Sequence, residues 1–170
     1  MNTMTKSKMR SVDVGLDLES RTALVNLLNV VLADEQLLYT KTRNFHWNVT
    51  GRLFRQLHVL LEEHYQQMQL LADEVAERAR MLGGNAIGTL AEFQEAARLS
   101  ESPGEFPTAE EMIDTLVEDH ESFIANLRQD ITSSMEEYDD QGTGDLLIGV
   151  LRAHEKMAWM LRSFIIENKE

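Results

Sequence analysis

Hydrophobic residues recur every three or four positions along most of this chain, which is the spacing of a helix with one buried face. The first such stretch runs from about Leu16 to Val49 and is broken at residues 48–51. The second runs from about Arg52 to Leu82 and ends at two glycines, a common stop signal for a helix. No stretch shows the two-residue period of a strand, so the pattern predicts an all-α protein.

A long connection separates this half of the chain from the next helix. Residues 84–107 contain both prolines, and their pattern predicts a short helix around Leu90–Arg98. Thr108 is followed three positions later by Glu111, which is the pattern of a capping box. The pattern therefore predicts a third long helix from this point to about Tyr138.

The pattern in the remainder of the chain predicts a fourth long helix. A turn is expected at residues 139–144, followed by apolar residues at helical spacing as far as Ile165. Two short turns and one long crossover predict a ferritin-like four-helix bundle with a short helix in the crossover between helices 2 and 3. We expect residues 1–15 to be a flexible tail and residues 16–170 to form the bundle.

Composition narrows the function. The 170 residues include no cysteine, which excludes disulfides, thiolate metal sites and cysteine nucleophiles. No apolar run is long enough to span a membrane, and the basic N-terminus lacks the apolar segment of a signal peptide, so we expect a cytoplasmic protein. The formal net charge of −13 favours attraction of cations and repulsion of nucleic acids.

Five candidate ligands for Fe²⁺ or a similar divalent ion occur on and just before the second helix. They are His46, His58, Glu62, Asp73 and Glu77. His58 and Asp73 are about 4.2 turns and 22 Å apart along a helix, so they face the same side yet cannot share one ion. Two copies packed antiparallel about an axis near Tyr65 and Gln66 would bring the histidine end of one beside the acidic end of the other. The spacing predicts a metal site between subunits.

The other histidines do not form the usual di-iron motif of a bundle. Ferritin-like di-iron sites within one subunit use Glu-x-x-His, and no histidine here has an acidic residue three positions before it. His64, His120 and His154 have no partner at ligand spacing, so we predict that they are structural.

The candidate ligands belong to a longer motif that resembles the Dps family, also called mini-ferritins. The matching residues are Asn44-Phe45-His46-Trp47-Asn48-Val49, Gly51, Phe54, His58, Asp73, Ala76-Glu77-Arg78 and Gly83-Gly84. The resemblance covers nearly the whole chain after residue 15 and implies a hollow shell of twelve subunits.

The resemblance also implies a ferroxidase site at each two-fold interface, with Trp47 beside it. On that pattern the catalytic and metal-binding residues are His46, His58 and Glu62 of one subunit and Asp73 and Glu77 of its partner. Many relatives have aspartate where this chain has Glu62. The implied activity is oxidation of Fe²⁺ with hydrogen peroxide or oxygen and storage of ferric iron, which protects the cell from oxidative damage. Zinc is a potential competitor for the site.

Two further features have alternative interpretations. The resemblance implies that Asp145, with Asp139 and Asp140 nearby, lines a pore that admits iron, whereas a helix dipole alone would also favour an acidic residue there. Lys6, Lys8 and Arg10 form a basic tail that suits DNA.

Two functions compete with iron oxidation and storage. One is a nucleoid DNA-binding protein in which iron oxidation is secondary, and the other is a helical bundle that binds no metal.

Overall fold

The computed structural model describes residues 9–164, and all regular structure in that range is helical. The predicted all-α fold with a short helix in the crossover is confirmed. The helices are α1 (Leu18–Asn48), α2 (Phe54–Met81), α3 (Leu90–Ala96), α4 (Ala109–Thr132) and α5 (Gln141–Arg162), with a π-helical segment (Ser133–Glu137) directly after α4.

The four long helices enclose one apolar core. The hairpin of α1 and α2 and the hairpin of α4 and α5 are the two most extensive packing contacts, and α3 lies on α1. The largest side chains that are completely buried come from all four helices, and include Leu24, Leu61, Met68, Phe123 and Leu147. The core therefore forms from the hydrophobic residues that recur every three or four positions along each helix.

Side-chain caps fix where the helices begin. The Asp17 carboxylate accepts a hydrogen bond from the Ser20 N–H at 2.7 Å, so α1 begins at Leu18. Thr108 and Glu111 form the predicted capping box at the start of α4, and Thr89 and Glu92 form another at the start of α3. Each box satisfies main-chain N–H groups that a helix start otherwise leaves unpaired.

The predicted turn at residues 139–144 is wrong in its second half. Asp140 caps α5 by accepting from the N–H groups of Gly142 and Thr143, so the helix already begins at Gln141. Gly144 lies inside the helix because its main chain packs directly against Met135, where a Cβ would be only 2.4 Å from side-chain atoms. The two glycines thus serve close packing and not a turn.

The long connection is held by one buried carboxylate. Asp34 in α1 accepts hydrogen bonds from the main-chain N–H groups of Arg98 and Leu99 at 2.6 and 3.1 Å, and from Arg98 Nε at 2.7 Å. Arg98 also pairs with Asp130 of α4. The crossover is therefore fixed to both helix pairs just beyond α3.

The end of α2 anchors the chain before α1. Gly83 has φ +88°, and the Gly84 N–H donates to the Ala79 carbonyl at 3.1 Å, which closes the helix in a left-handed turn. The Arg10 N–H donates to the Gly83 carbonyl at 2.8 Å, and Arg21 donates to the Leu82 carbonyl. Part of the predicted 1–15 tail is thus bonded to the bundle at Arg10.

Candidate metal site

Two candidate ligands meet where α1 ends and α2 begins. His46 is buried and His58 is half-buried, and their rings stack with centres 3.8 Å apart and planes 17° apart. The Nδ1 of His46 lies 2.7 Å from the main-chain carbonyl oxygen of His58, and the Nδ1 of His58 lies 2.9 Å from that of His46. The five-residue connection between the helices makes this reciprocal contact.

These hydrogen bonds determine which nitrogen of each ring is available. A carbonyl oxygen only accepts, so each Nδ1 carries the hydrogen. In the neutral ring the Nε2 of His46 and of His58 then carries a lone pair, the form that binds a metal. A main-chain carbonyl on the other ring nitrogen is also the usual way in which proteins orient a histidine ligand.

Glu62 lies one turn beyond His58 and is positioned by Tyr65. The Tyr65 hydroxyl donates to Glu62 Oε1 at 3.4 Å, and the Tyr65 ring meets the His46 ring edge to face at 5.3 Å. Burial, and then the negative charge of Glu62, raise the pKa of Tyr65, which keeps the hydroxyl protonated as a donor. The side of α2 that carries His58, Glu62, Asp73 and Glu77 is here called the ligand stripe. His58 and Glu62, with His46 beside them, form one end of it.

The other end of the stripe is acidic and exposed. Asp73 and Glu77 lie on α2 one turn from each other, and both side chains are open to solvent. Neither has a hydrogen-bond or ion-pair partner in the part of the chain that the structure describes. They are thus free to bind a group from outside this copy of the chain.

The two ends do not meet within one copy. Among residues 9–164, no three His, Asp or Glu side chains are placed to hold one ion. His58 and Asp73 are fifteen residues apart on the straight run of α2, or about 22 Å at 1.5 Å per residue. A site that uses both ends needs a second copy.

The surface around the stripe carries large exposed apolar side chains. Leu70 is 67% exposed, Trp47 is 63% exposed and Phe54 is 46% exposed. Phe54 stands 5.1 Å from the ring of His58, and Trp47 receives the Arg43 guanidinium over its face at 4.8 Å. Apolar groups that flank polar ligands on an open face favour burial by a partner protein.

The three candidate pore residues fall into two groups. Asp140 is buried and caps α5. Its two carboxylate oxygens accept hydrogen bonds from Arg78 at 2.8 and 2.9 Å. That engagement turns Asp140 away from solvent, so it does not share the surface with the other two. Asp139, with φ +51°, and Asp145 are both exposed. Asp145 lies in the second turn of α5 and not in the first, where a helix dipole acts most strongly.

The basic tail is only partly described. Lys6 and Lys8 lie outside residues 9–164. Arg10 is exposed, and its main chain is bonded to Gly83 and Arg21.

None of the helices within the described residues is long and apolar enough to cross a membrane.

His64, His120 and His154, which we predicted to be structural, are all buried in the core. Together with Glu35 they form a polar group inside the bundle, here called the core cluster, with one residue from each long helix. His154 contacts Glu35 at 2.8 Å and His120 at 2.9 Å. Glu35 and His154 are 119 residues apart, so local spacing could not reveal the pair. The available signal was a polar residue at a core position in each of the four helices.

Comparisons with known proteins cover most of the chain. Residues 25–168 match the family described as a ferritin-like domain. A low temperature-induced protein of Nostoc is 48% identical over 157 residues, which is 92% of this chain and 88% of that protein. DNA protection during starvation protein 2 of Bacillus anthracis is 38% identical over 143 residues, which is 84% of this chain and 96% of that protein.

Solved structures agree with the sequence matches. DpsC from Streptomyces coelicolor superimposes with a TM-score of 0.90 and 32% identity, over 95% of this chain and 94% of that one. Dps from Vibrio cholerae, described as a ferritin-like diiron-carboxylate protein, superimposes with a TM-score of 0.84 and 31% identity, over 92% of this chain and 98% of that one. On this evidence, the chain belongs to the Dps family of ferritin-like proteins.

Proposed function

We propose that this protein oxidises Fe²⁺ at sites formed between two copies of the chain and stores the ferric product inside a closed shell of copies. His46, His58 and Glu62 of one copy and Asp73 and Glu77 of the other are the proposed ligands. The shell is a dodecamer, as the family resemblance implies, and iron is the substrate. Hydrogen peroxide, or else oxygen, is the oxidant.

The observation that carries this proposal is the reciprocal bonding of His46 and His58. Both Nδ1 atoms are held by main-chain carbonyls, so the two Nε2 lone pairs are fixed in direction before any metal arrives. Preorganised ligands bind a metal without a cost for ordering their side chains.

The acidic half of the proposed site, Asp73 and Glu77, supplies negatively charged oxygen ligands, which the histidines do not. Carboxylates are hard oxygen ligands that neutralise the charge of the ion and favour the harder Fe³⁺ product. Since Asp73 and Glu77 are exposed and unpaired within residues 9–164, a second copy meets no competing ion pair on approach. The apolar side chains of Trp47 and Phe54 would be covered in the same step.

The proposed reaction balances without a further reactant. Two Fe²⁺ ions each give one electron to hydrogen peroxide, which takes up two hydrogen ions from the solution and leaves as two water molecules. The oxygen–oxygen bond of the peroxide breaks, and the products are two Fe³⁺ ions. Because both electrons are delivered together, no hydroxyl radical is released, and this is the protective part of the function.

Entry of iron into the shell is proposed to use exposed acidic residues near the start of α5. Asp145 and Asp139 are open to solvent, whereas Asp140 is held by Arg78 inside the subunit. We therefore assign the pore role to Asp145, with Asp139 beside it, and leave Asp140 out. The net charge of −13 per chain concentrates cations at such an entrance.

The test compares two neighbouring acidic residues on α2. Asp73→Asn removes a proposed ligand, whereas Glu74→Gln makes the same change of charge at the adjacent exposed position. We expect Asp73→Asn to slow oxidation of Fe²⁺ by peroxide at least tenfold, since even the loss of a residue that only orients a metal ligand costs about 10–100-fold. Glu74→Gln should match the parent. Equal rates for all three proteins, at equal assembly size, would refute the proposed site.

A further inference from the structure

The core cluster is a second group of side chains of metal-ligating types, and it lies inside the bundle and not on its surface. Glu35, His64, His120 and His154 come from α1, α2, α4 and α5, and all four side chains are buried. The Phe123 ring stands edge to face on His154 at 4.8 Å. A polar group this deep in a bundle needs partners for its polar atoms.

Hydrogen bonds fix one nitrogen of His154. Its Nε2 lies 2.8 Å from Glu35 Oε1, and a carboxylate only accepts, so Nε2 carries the hydrogen. When the ring is neutral its lone pair is on Nδ1, which accepts a hydrogen bond from the Nδ1 of His120 at 2.9 Å. A carboxylate behind a histidine is the arrangement that orients a metal ligand in many proteins.

The other atoms of the core cluster lack partners. Within residues 9–164, six buried side-chain nitrogen and oxygen atoms have no hydrogen-bond partner, and four of the six belong to this cluster. They are Glu35 Oε2, both ring nitrogens of His64, and Nε2 of His120. Such a concentration in one place points to a bound species that these atoms would contact.

We infer that the core cluster binds a divalent cation of the Zn²⁺ or Co²⁺ class through ring nitrogens of His64, His120 and His154, with Glu35 orienting His154. Imidazole groups suit these ions. This site lies inside one subunit, so it is separate from the interface and does not depend on the proposed function.

Burial supplies the form of imidazole that binds metals. Removal from water disfavours the charged ring, and the side chains of His64 and His120 are only 3% and 0% exposed. Among the described ion pairs Glu35 contacts only His154, with no Lys or Arg, so its carboxylate is placed to orient that ring behind a bound cation.

Binding requires two rings to turn, those of His64 and His120, because His120 Nδ1 donates to the lone pair that His154 has on Nδ1. As they stand, no three described His, Asp or Glu side chains can hold one ion, and the His64 and His120 ring centres are 6.4 Å apart. His64 has no hydrogen bond on either ring nitrogen, so nothing polar resists rotation of its ring toward the His120–His154 pair.

The experiment removes the interface ligands first. The assembled double variant His58→Ala, Asp73→Asn is stripped with EDTA, loaded with Zn²⁺ alone and passed over a desalting column. We expect about one Zn²⁺ per chain to be retained, with a higher melting temperature than the stripped protein. Loading with Co²⁺ should give the visible absorption of a nitrogen-ligated ion. No retained metal would overturn the inference.

A third substitution locates the ion. His64→Leu, added to the double variant, replaces a side chain that makes no hydrogen bond by an apolar one of similar size. We expect it to abolish both Zn²⁺ retention and the rise in melting temperature. His120→Leu repeats the test from another helix should the first variant fail to assemble. Retention that persists in an assembled triple variant would place the metal elsewhere and refute the site.

Discussion

The five described histidines differ in what holds their ring nitrogens. In His46 and His58 a main-chain carbonyl occupies Nδ1, which leaves Nε2 for a ligand at the surface. In His154 a carboxylate occupies Nε2, and both nitrogens of His64 are unpaired in the interior. The same residue type thus supplies an interface half-site and an interior cluster, and its surroundings decide which.

The buried histidines predict a loss of stability in acid. Burial lowers the pKa of His64 from 6.5 to about 4, so between these values the unfolded chain binds a proton that the folded chain does not. The free energy of unfolding therefore falls as pH is lowered below 6.5, by about 1.4 kcal/mol per pH unit for this one group. His120 acts in the same direction. Above pH 6.5 neither group imposes this loss.

The check is urea unfolding at pH 7 and pH 5 in EDTA. His64→Gln keeps a polar side chain but removes the titrating group, and Glu63→Gln is the control at an exposed neighbouring position. We expect the loss of stability between the two pH values to be about 2 kcal/mol smaller in His64→Gln than in the parent. An unchanged loss in that variant would contradict the assignment.

Single residues were predicted from the sequence where chemistry and helical spacing agreed. The stripe from His58 to Glu77 follows from the periodicity of one helix, and its members do share one side of α2. The bonding between His46 and His58 required the geometry of the connection between two helices. The pairing of Glu35 with His154 required the approach of α1 and α5 across the core, which no local pattern encodes.

At the scale of elements, the ends of helices depend on contacts from elsewhere in the chain. Gly83 closes α2 in the left-handed region, and a Cβ there would lie 2.9 Å from Val12 and 3.1 Å from the Arg10 carbonyl. The segment before α1 therefore uses the absence of a side chain at Gly83.

Gly83→Ala should consequently destabilise the protein. A left-handed alanine costs about 1–2 kcal/mol, and the contact with Val12 adds to it. Gly88→Ala is the matched control, because a Cβ at Gly88 would meet nothing within 4 Å and its φ is ordinary. We expect a lower urea midpoint for the first variant only. Equal midpoints would show that the Arg10 segment does not depend on this turn.

Element types were easier to predict than element boundaries. The capping box at Thr108 locates the start of α4 because its signal is local. The start of α5 was missed because Gly142 and Gly144 resemble a turn, whereas Gly144 is required by the close approach of Met135. The π-helical segment after Thr132 was missed because a helix with one extra residue per turn keeps the same apolar pattern over five residues.

At the scale of the whole molecule, the proposed site makes activity a property of pairs. If one copy supplies histidines and the other supplies acids, then His58→Ala and Asp73→Asn shells are each inactive but carry complementary halves. Unfolding and refolding the two variants together should regenerate about a quarter of the sites by random pairing. A mixture without iron oxidation, in shells shown to contain both variants, would contradict a shared site.

DNA binding is expected to be weak for the assembled molecule. Each chain has a net charge of −13, and its basic tail offers only Lys6, Lys8 and Arg10. The phosphate contacts of so few cations are lost quickly as salt is added. We expect a gel shift at low ionic strength that disappears near 150 mM salt and after removal of residues 1–8. A shift that survives either change would point to a different DNA-binding surface.

The mutual hydrogen bonds of His46 and His58 also connect two helices. Each imidazole donates a hydrogen bond to the main chain of the other helix. Replacing either one therefore removes a contact between α1 and α2 in addition to a ligand. Asp73 makes no hydrogen bond or ion pair within residues 9–164, where its side chain is exposed. Histidine substitutions therefore change chemistry and architecture together, and only the acidic end of the stripe lets the two be separated.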